Sequence, residues 1–85
     1  MSTLTSDQCQ KQSVIAELNL KLANKAVRNL YIFNGGFLMV SLQPYQNSTL
    51  EFEIYSTFLS IQSFNPYLHV MIPFTNFSHI EITDD

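Results

Sequence analysis

The chain has 85 residues, a hydrophobic fraction of 46% and a net charge of −3, which suit one small domain with a modest core. Its single cysteine, Cys9, excludes an internal disulfide, and no apolar run has the length of a membrane helix. We therefore expect a water-soluble protein of the reducing cytoplasm, because small secreted domains usually carry disulfides.

The charges are unevenly placed along the chain. All four lysine and arginine residues lie between Lys11 and Arg28. The rest of the chain carries only acidic charges, at Glu51, Glu53, Glu81, Asp84 and Asp85. Such a surface repels nucleic acid and anionic membranes, and it lacks the charges that keep strand edges from pairing with other molecules. We therefore expect a surface that another protein covers, with no membrane partner.

The polar residues 1–12 are predicted to form a tail or the start of a helix. Thr5 and Gln8 have the spacing of a capping box, in which each side chain hydrogen-bonds to the backbone of the other residue. Asp7 suits the first turn of such a helix because its charge complements the helix dipole. A single β-rich domain is predicted for residues 13–85.

Residues 13–29 fit two kinds of secondary structure. At the helical period, one side is apolar and includes Ile15, Leu18, Leu22 and Ala26. At a period of two, a different apolar set faces one way, formed by Val14, Ala16, Leu18, Leu20 and Leu22. Two predictions therefore stay open for residues 6–27: a helix packed on the sheet, or an additional strand. A helix over about 6–16 followed by a strand is a mixed alternative.

From Val27 onward the pattern predicts short strands. Residues 30–33 and 37–42 are joined by Asn34-Gly35-Gly36, a hairpin signal because asparagine and glycine accept positive φ. The residues predicted to face inward are Leu30, Ile32, Leu50, Phe52, Ile54, Leu59, Ile61, Leu68, Val70, Ile72, Phe74, Ile80 and Ile82. Pro73 favours an edge position for its strand. The predicted fold is mainly β, an antiparallel sandwich or barrel of about five to seven strands.

No group of residues has the spacing of a catalytic or metal site. His69 and His79 match no standard zinc spacing, and Cys9 has no neighbouring histidine to activate it. Glu51 and Glu53 lie on one side of a predicted strand, about 7 Å apart. Two such glutamates usually form the solvent-exposed side of a strand. The only glycines form no phosphate-binding motif. We therefore predict no enzymatic activity, no bound metal and no cofactor.

The aromatic residues outnumber the places on one inward sheet face. Outward rings among few charges are typical of a protein–protein interface, although a fold that buries both sheet faces would use the same residues. We predict a non-catalytic interaction module that self-associates or docks on a protein partner through outward side chains and edge strands. The predicted contact residues are Tyr31, Phe33, Tyr55, Tyr67, Glu51 and Glu53.

Two other functions are alternatives. The first is a small acidic inhibitor that occupies a basic site on a larger protein, with Glu51, Glu53 and Glu81 on its binding face. The second is an oligomeric nucleic-acid binder that uses the basic segment 11–28, through Lys21, Lys25 and Arg28. The net negative charge and the small number of cations argue against the second alternative.

Overall fold

The computed structural model describes residues 2–47, 49–64 and 67–84. Within these residues, seven strands form two antiparallel sheets, and a helical segment packs on them. In chain order the elements are β1 Ser2–Thr5, α1 Ser6–Cys9, α2 Gln12–Ala23, β2 Asn29–Asn34, β3 Phe37–Leu42, a short 3₁₀ helix Pro44–Gln46, β4 Glu51–Ile54, β5 Phe58–Phe64, β6 Tyr67–Pro73 and β7 His79–Thr83. The mainly β prediction is confirmed.

The ambiguous segment forms a helix. In α2 the buried side chains are Ile15, Leu18 and Leu22, whereas Ala16 and Leu20 are exposed. This is the helical pattern, because an inward-facing strand would bury Ala16 and Leu20 as well. The prediction of a helix packed on the sheet is confirmed, and the predictions of an additional strand and of a mixed helix and strand are wrong. The predicted capping box also forms, at the start of α1.

A Schellman motif ends α2. The amide of Lys25 donates to the carbonyl oxygen of Leu22 at 3.1 Å, and the amide of Ala26 donates to that of Lys21 at 2.9 Å. Lys25 holds the left-handed conformation that this motif requires, with φ of 57°. Lysine occupies a position that glycine usually takes, so the helix end carries backbone strain.

The larger sheet has the strand order β1-β7-β2-β3, and the smaller sheet has the order β4-β5-β6. β7 therefore lies between the first strand and β2. The sequence pattern does not predict β1, in which Leu4 is the only large apolar residue, because the position of this strand depends on pairing with β7 at the far end of the chain. The edge position predicted from Pro73 is confirmed, since β6 ends the smaller sheet.

Both sheets and α2 contribute to a single core. The predicted inward residues of the central strands are buried, namely Leu30, Ile32, Leu59, Ile61, Ile80 and Ile82. Each such side chain contributes about 1.5–3 kcal/mol through its burial. On the free edge strands β3 and β6, the inward-facing Val40, Leu42, Leu68 and Val70 are only half-buried, although they pack against the core. The core is therefore less well covered along β3 and β6.

The predicted hairpin joins β2 to β3. Gly35 has φ of 61°, which a residue with a side chain adopts only with strain. The register of β2 against β3 shifts after Ile32, which leaves Met39 in a β-bulge. Bulges bend a strand and increase its local twist, and the pairing with β2 resumes beyond the bulge at Leu38 and Phe37.

A helix covers the edge of the smaller sheet at β4, whereas the edges at β3 and β6 are free. α2 packs on β4, and it also borders a cavity with β1. The Asn19 side chain donates to the carbonyl oxygen of Phe52 at 2.9 Å and accepts from the Phe52 amide at 3.0 Å. The Asn19 side chain thus pairs with the backbone amide and carbonyl of Phe52 at the edge of β4, as the backbone of a neighbouring strand would. In the described part of the chain, no helix or strand lies along the outer edges of β3 and β6.

Candidate interaction surfaces

Exposed apolar side chains concentrate along β3 and at the β5–β6 hairpin. We name the neutral flank as the free edges of β3 and β6 with the exposed side chains Phe37, Leu38, Met39, Phe64, Tyr67 and Met71. Its strands contain no aspartate, glutamate, lysine or arginine. Apart from the bulge at Met39 and Pro73 at the end of β6, the two edges lack the usual devices that prevent pairing with another chain.

A groove of about 290 Å³ lies between one end of β3 and the start of β6. Its lining is uncharged and consists of Ser41, Leu42, Gln43, Gln46, Asn47, Tyr67 and Leu68. Amide and hydroxyl groups of this kind can hydrogen-bond to the backbone of an incoming segment, while the leucines contact its apolar side chains. The groove therefore extends the neutral flank from one sheet to the other.

The outer surface of β4 carries exposed carboxylates. Neither Glu51 nor Glu53 has a cationic partner among the described residues. The Tyr55 hydroxyl donates to Oε2 of Glu53 at 2.7 Å, and the Tyr55 ring stacks on Phe58 with the centroids 4.7 Å apart. The hydrogen bond to Glu53 and its negative charge raise the pKa of Tyr55, so the hydroxyl stays protonated and orients the carboxylate. We name Glu51, Glu53, Tyr55, Phe58 and Ser60 the acidic face.

Ser60 lies at the centre of the acidic face. The register places it opposite Glu53 on one side and Met71 on the other, and it is only 2% exposed. Its hydroxyl forms no hydrogen bond with any described residue. Among the described residues, no side-chain oxygen is fully buried without a partner, so the Ser60 hydroxyl keeps a small contact with solvent. The Ser60 hydroxyl therefore lies between the longer side chains of Glu53 and Met71, without a hydrogen-bond partner among the described residues.

The predicted contact residues divide between two faces. Tyr31 and Phe33 lie on the outer face of the larger sheet, where both are half-buried and Phe33 stacks on His79 at 4.9 Å between ring centroids. Tyr55 and Tyr67 lie on the outer face of the smaller sheet, with the two glutamates. The structure therefore does not bring all six residues together.

The sequence pattern does not predict the exposure of Phe37, Leu38 and Met39, whose fractional exposures are 80%, 52% and 42%. A continuous apolar run is typical of a buried strand. The sequence offers no local signal that separates this run from a buried strand, because its exposure follows from the edge position of β3 in the sheet.

A row of hydrogen bonds on the larger sheet has the residue types of a hydrolase triad. The Ser78 hydroxyl lies 3.1 Å from Nδ1 of His79, whose Nε2 lies 3.4 Å from Glu81. However, the same hydroxyl donates to the carbonyl oxygen of Phe33 and accepts from the Gly35 amide. Neither of the two described cavities is lined by this row. Its contacts tie the β2–β3 turn to the start of β7.

The basic residues do not share a helix face. α2 ends at Ala23, so Lys25 and Arg28 lie beyond it, and the Arg28 guanidinium lies 5.3 Å from the centroid of the Tyr45 ring. Cys9 is buried, and burial raises the pKa of its thiol to about 11. Among the described residues, no three histidine, cysteine, aspartate or glutamate side chains converge in a group that could hold a metal ion.

Comparison with protein family models, with curated protein sequences and with solved structures found no match for this chain. Neither described helix has the length and hydropathy needed to span a membrane. The neutral flank and the acidic face are therefore the features of this chain that bear on its function.

Proposed function

We propose that the protein is a non-catalytic interaction module that self-associates through the neutral flank, with β3 of one copy pairing along β3 of a second copy. The observation that carries this proposal is the concentration of exposed apolar side chains along two free, uncharged strand edges. Exposed apolar surface of this extent is characteristic of a site that another molecule covers.

The exposed area is large enough to matter for association. The three rings of Phe37, Phe64 and Tyr67 are 80%, 68% and 74% exposed. An aromatic side chain presents about 150–250 Å² when fully exposed, so these rings together present about 450 Å². A standard interface buries about 800 Å² on each partner, and the rings present about half of that area, of which the Phe37 ring lies on the pairing strand β3 and the other two on the smaller sheet.

The lack of charge on β3 favours a second copy as the partner. Antiparallel pairing of β3 with itself generates a two-fold axis and places identical strands side by side. Like charges opposite each other destabilise such a pair, and residues 37–42 carry none. Pairing would also cover the half-buried Val40 and Leu42 and join two four-stranded sheets into one.

We propose that the protein self-associates in the cytoplasm. The only cysteine is a free thiol in the core, which fits a protein that folds without disulfides in a reducing compartment.

Light scattering coupled to size-exclusion chromatography, over a dilution series, tests the proposal. We expect the wild-type protein to dissociate on dilution, and Leu38→Lys to weaken the association at least tenfold by placing a charge on the free edge. Leu20→Lys is the matched control. Leu20 is 63% exposed on α2, outside the neutral flank, and the substitution makes the same change in charge and side chain.

A wild-type protein that stays monomeric at every concentration would contradict self-association. Equal weakening by Leu38→Lys and Leu20→Lys would contradict the placement of the interface on the neutral flank.

A further inference from the structure

We infer that the acidic face binds an extended, arginine-bearing segment of a partner protein, on the smaller sheet and away from the β3 edge of the larger sheet. Four features of this face point to the same ligand: the unpaired carboxylates, their spacing, the stacked aromatic pair and the free hydroxyl at the centre.

The carboxylates need a cation from outside their own part of the chain. Glu51 and Glu53 are exposed and have no cationic partner among the described residues. Residues 29–85 contain no lysine or arginine that could neutralise them. A partner with the opposite charge would gain orientation and speed of association from this complementarity.

The spacing of the two glutamates selects an extended ligand. Residues i and i+2 of a strand lie about 7 Å apart on one face. An extended segment running along β4 would present alternate side chains at the same interval. Two cations at alternate positions of the ligand would therefore meet Glu51 and Glu53 together.

The aromatic pair and the free hydroxyl favour arginine over lysine. One face of the Tyr55 ring is stacked on Phe58, and the residue is still 46% exposed, so part of the ring remains accessible to a ligand. A guanidinium can stack on such a ring while it donates two parallel hydrogen bonds to a carboxylate. Its remaining donors can reach the Ser60 hydroxyl, whereas an ammonium is a compact point charge.

Fluorescence anisotropy with labelled synthetic peptides tests this inference. The probe is a short capped peptide with arginine at alternate positions, compared with peptides carrying lysine or glutamine at the same positions. We expect the arginine peptide to bind in low salt and to weaken as salt is added, the lysine peptide to bind several-fold more weakly, and the glutamine peptide not to bind. Equal affinity for the arginine and lysine peptides would overturn the choice of arginine.

Two charge-matched variants locate the site. Glu51→Gln combined with Glu53→Gln should weaken the arginine peptide about tenfold. The control, Asp7→Asn combined with Glu17→Gln, makes the same change in net charge with exposed side chains on α1 and α2. Equal weakening by both double variants, or no binding of the arginine peptide to the wild-type protein in low salt, would overturn the inference.

Ser60→Ala separates contact with the ligand from a structural role. Because its hydroxyl has no partner within the described chain, removing it should leave the midpoint of urea unfolding unchanged. The arginine peptide should nevertheless bind about threefold more weakly. An unchanged peptide affinity would overturn the part assigned to Ser60. None of these substitutions lies on β3, the strand along which self-association is proposed, so failure here is distinguishable from failure of self-association.

Discussion

Replacing Asn19 with alanine should release the edge of β4 from α2. Two hydrogen bonds of 2.9 and 3.0 Å join the Asn19 amide to the carbonyl oxygen and the amide of Phe52. Each bond contributes about 0.5–1.5 kcal/mol, and a backbone group left partly buried without a partner costs more. We expect Asn19→Ala to lower the free energy of unfolding by about 2–3 kcal/mol. In a domain of this size that corresponds to about 10–20 °C in Tm.

Asn19→Asp refines the same prediction. The carboxylate has nearly the shape of the amide and still accepts from the Phe52 amide, but it places a negative charge against the Phe52 carbonyl oxygen. We therefore expect Asn19→Asp to be at least as destabilising as Asn19→Ala. Urea unfolding followed by circular dichroism measures both variants. Asn24→Ala is the control, since Asn24 is exposed at the end of the same helix.

The reasoning is refuted if Asn19→Ala costs less than about 0.5 kcal/mol, which is the usual effect of a surface substitution. It is also refuted if Asn19→Asp keeps the stability of the wild-type protein, because the donated hydrogen bond would then contribute nothing.

Two further predictions concern the backbone at the end of α2 and the buried thiol. Lys25→Gly should raise the free energy of unfolding by about 1 kcal/mol, because glycine adopts the positive φ of 57° without strain. Asn24→Gly is the control and should not raise it, since Asn24 has an ordinary φ of −85°. Equal effects of the two substitutions in urea unfolding would contradict this prediction. Burial raises the pKa of Cys9 from 9.0 to about 11, so the folded state holds this proton more tightly than the unfolded state. Stability relative to Cys9→Ala should therefore be constant below pH 9.0 and fall by about 2 kcal/mol as the pH rises to 11, and an unchanged difference would contradict the burial.

Much of the fold could be predicted from local patterns. Alternating apolar residues identified the buried side of β2, β4, β5 and β7, and the Asn34-Gly35-Gly36 turn located the hairpin. Residues 13–29 could not be assigned, because the apolar positions satisfy both periods, and packing against β4 decides between them. β1 could not be predicted because Leu4 alone supplies its large apolar contact and its pairing partner lies near the other end of the chain.

The surfaces were predictable only in part. The alternation in β4 correctly placed Glu51, Glu53 and Tyr55 outward. It could not show that Tyr31 lies on a different sheet, because strand order is not encoded in the alternation of any single strand. The exposure of Phe37 depends on β3 being an edge, which is a property of the whole sheet.

The place of β7 has a consequence for the chain during synthesis. The ribosome releases β1 and β2 early, but the strand that belongs between them emerges only after the smaller sheet has been completed. The smaller sheet is a meander of neighbouring strands, and such local pairings form quickly. Until β7 is available, β2 lacks the strand that pairs with it beside Leu30 and Ile32, and exposed apolar surface of this kind makes a folding chain prone to aggregate.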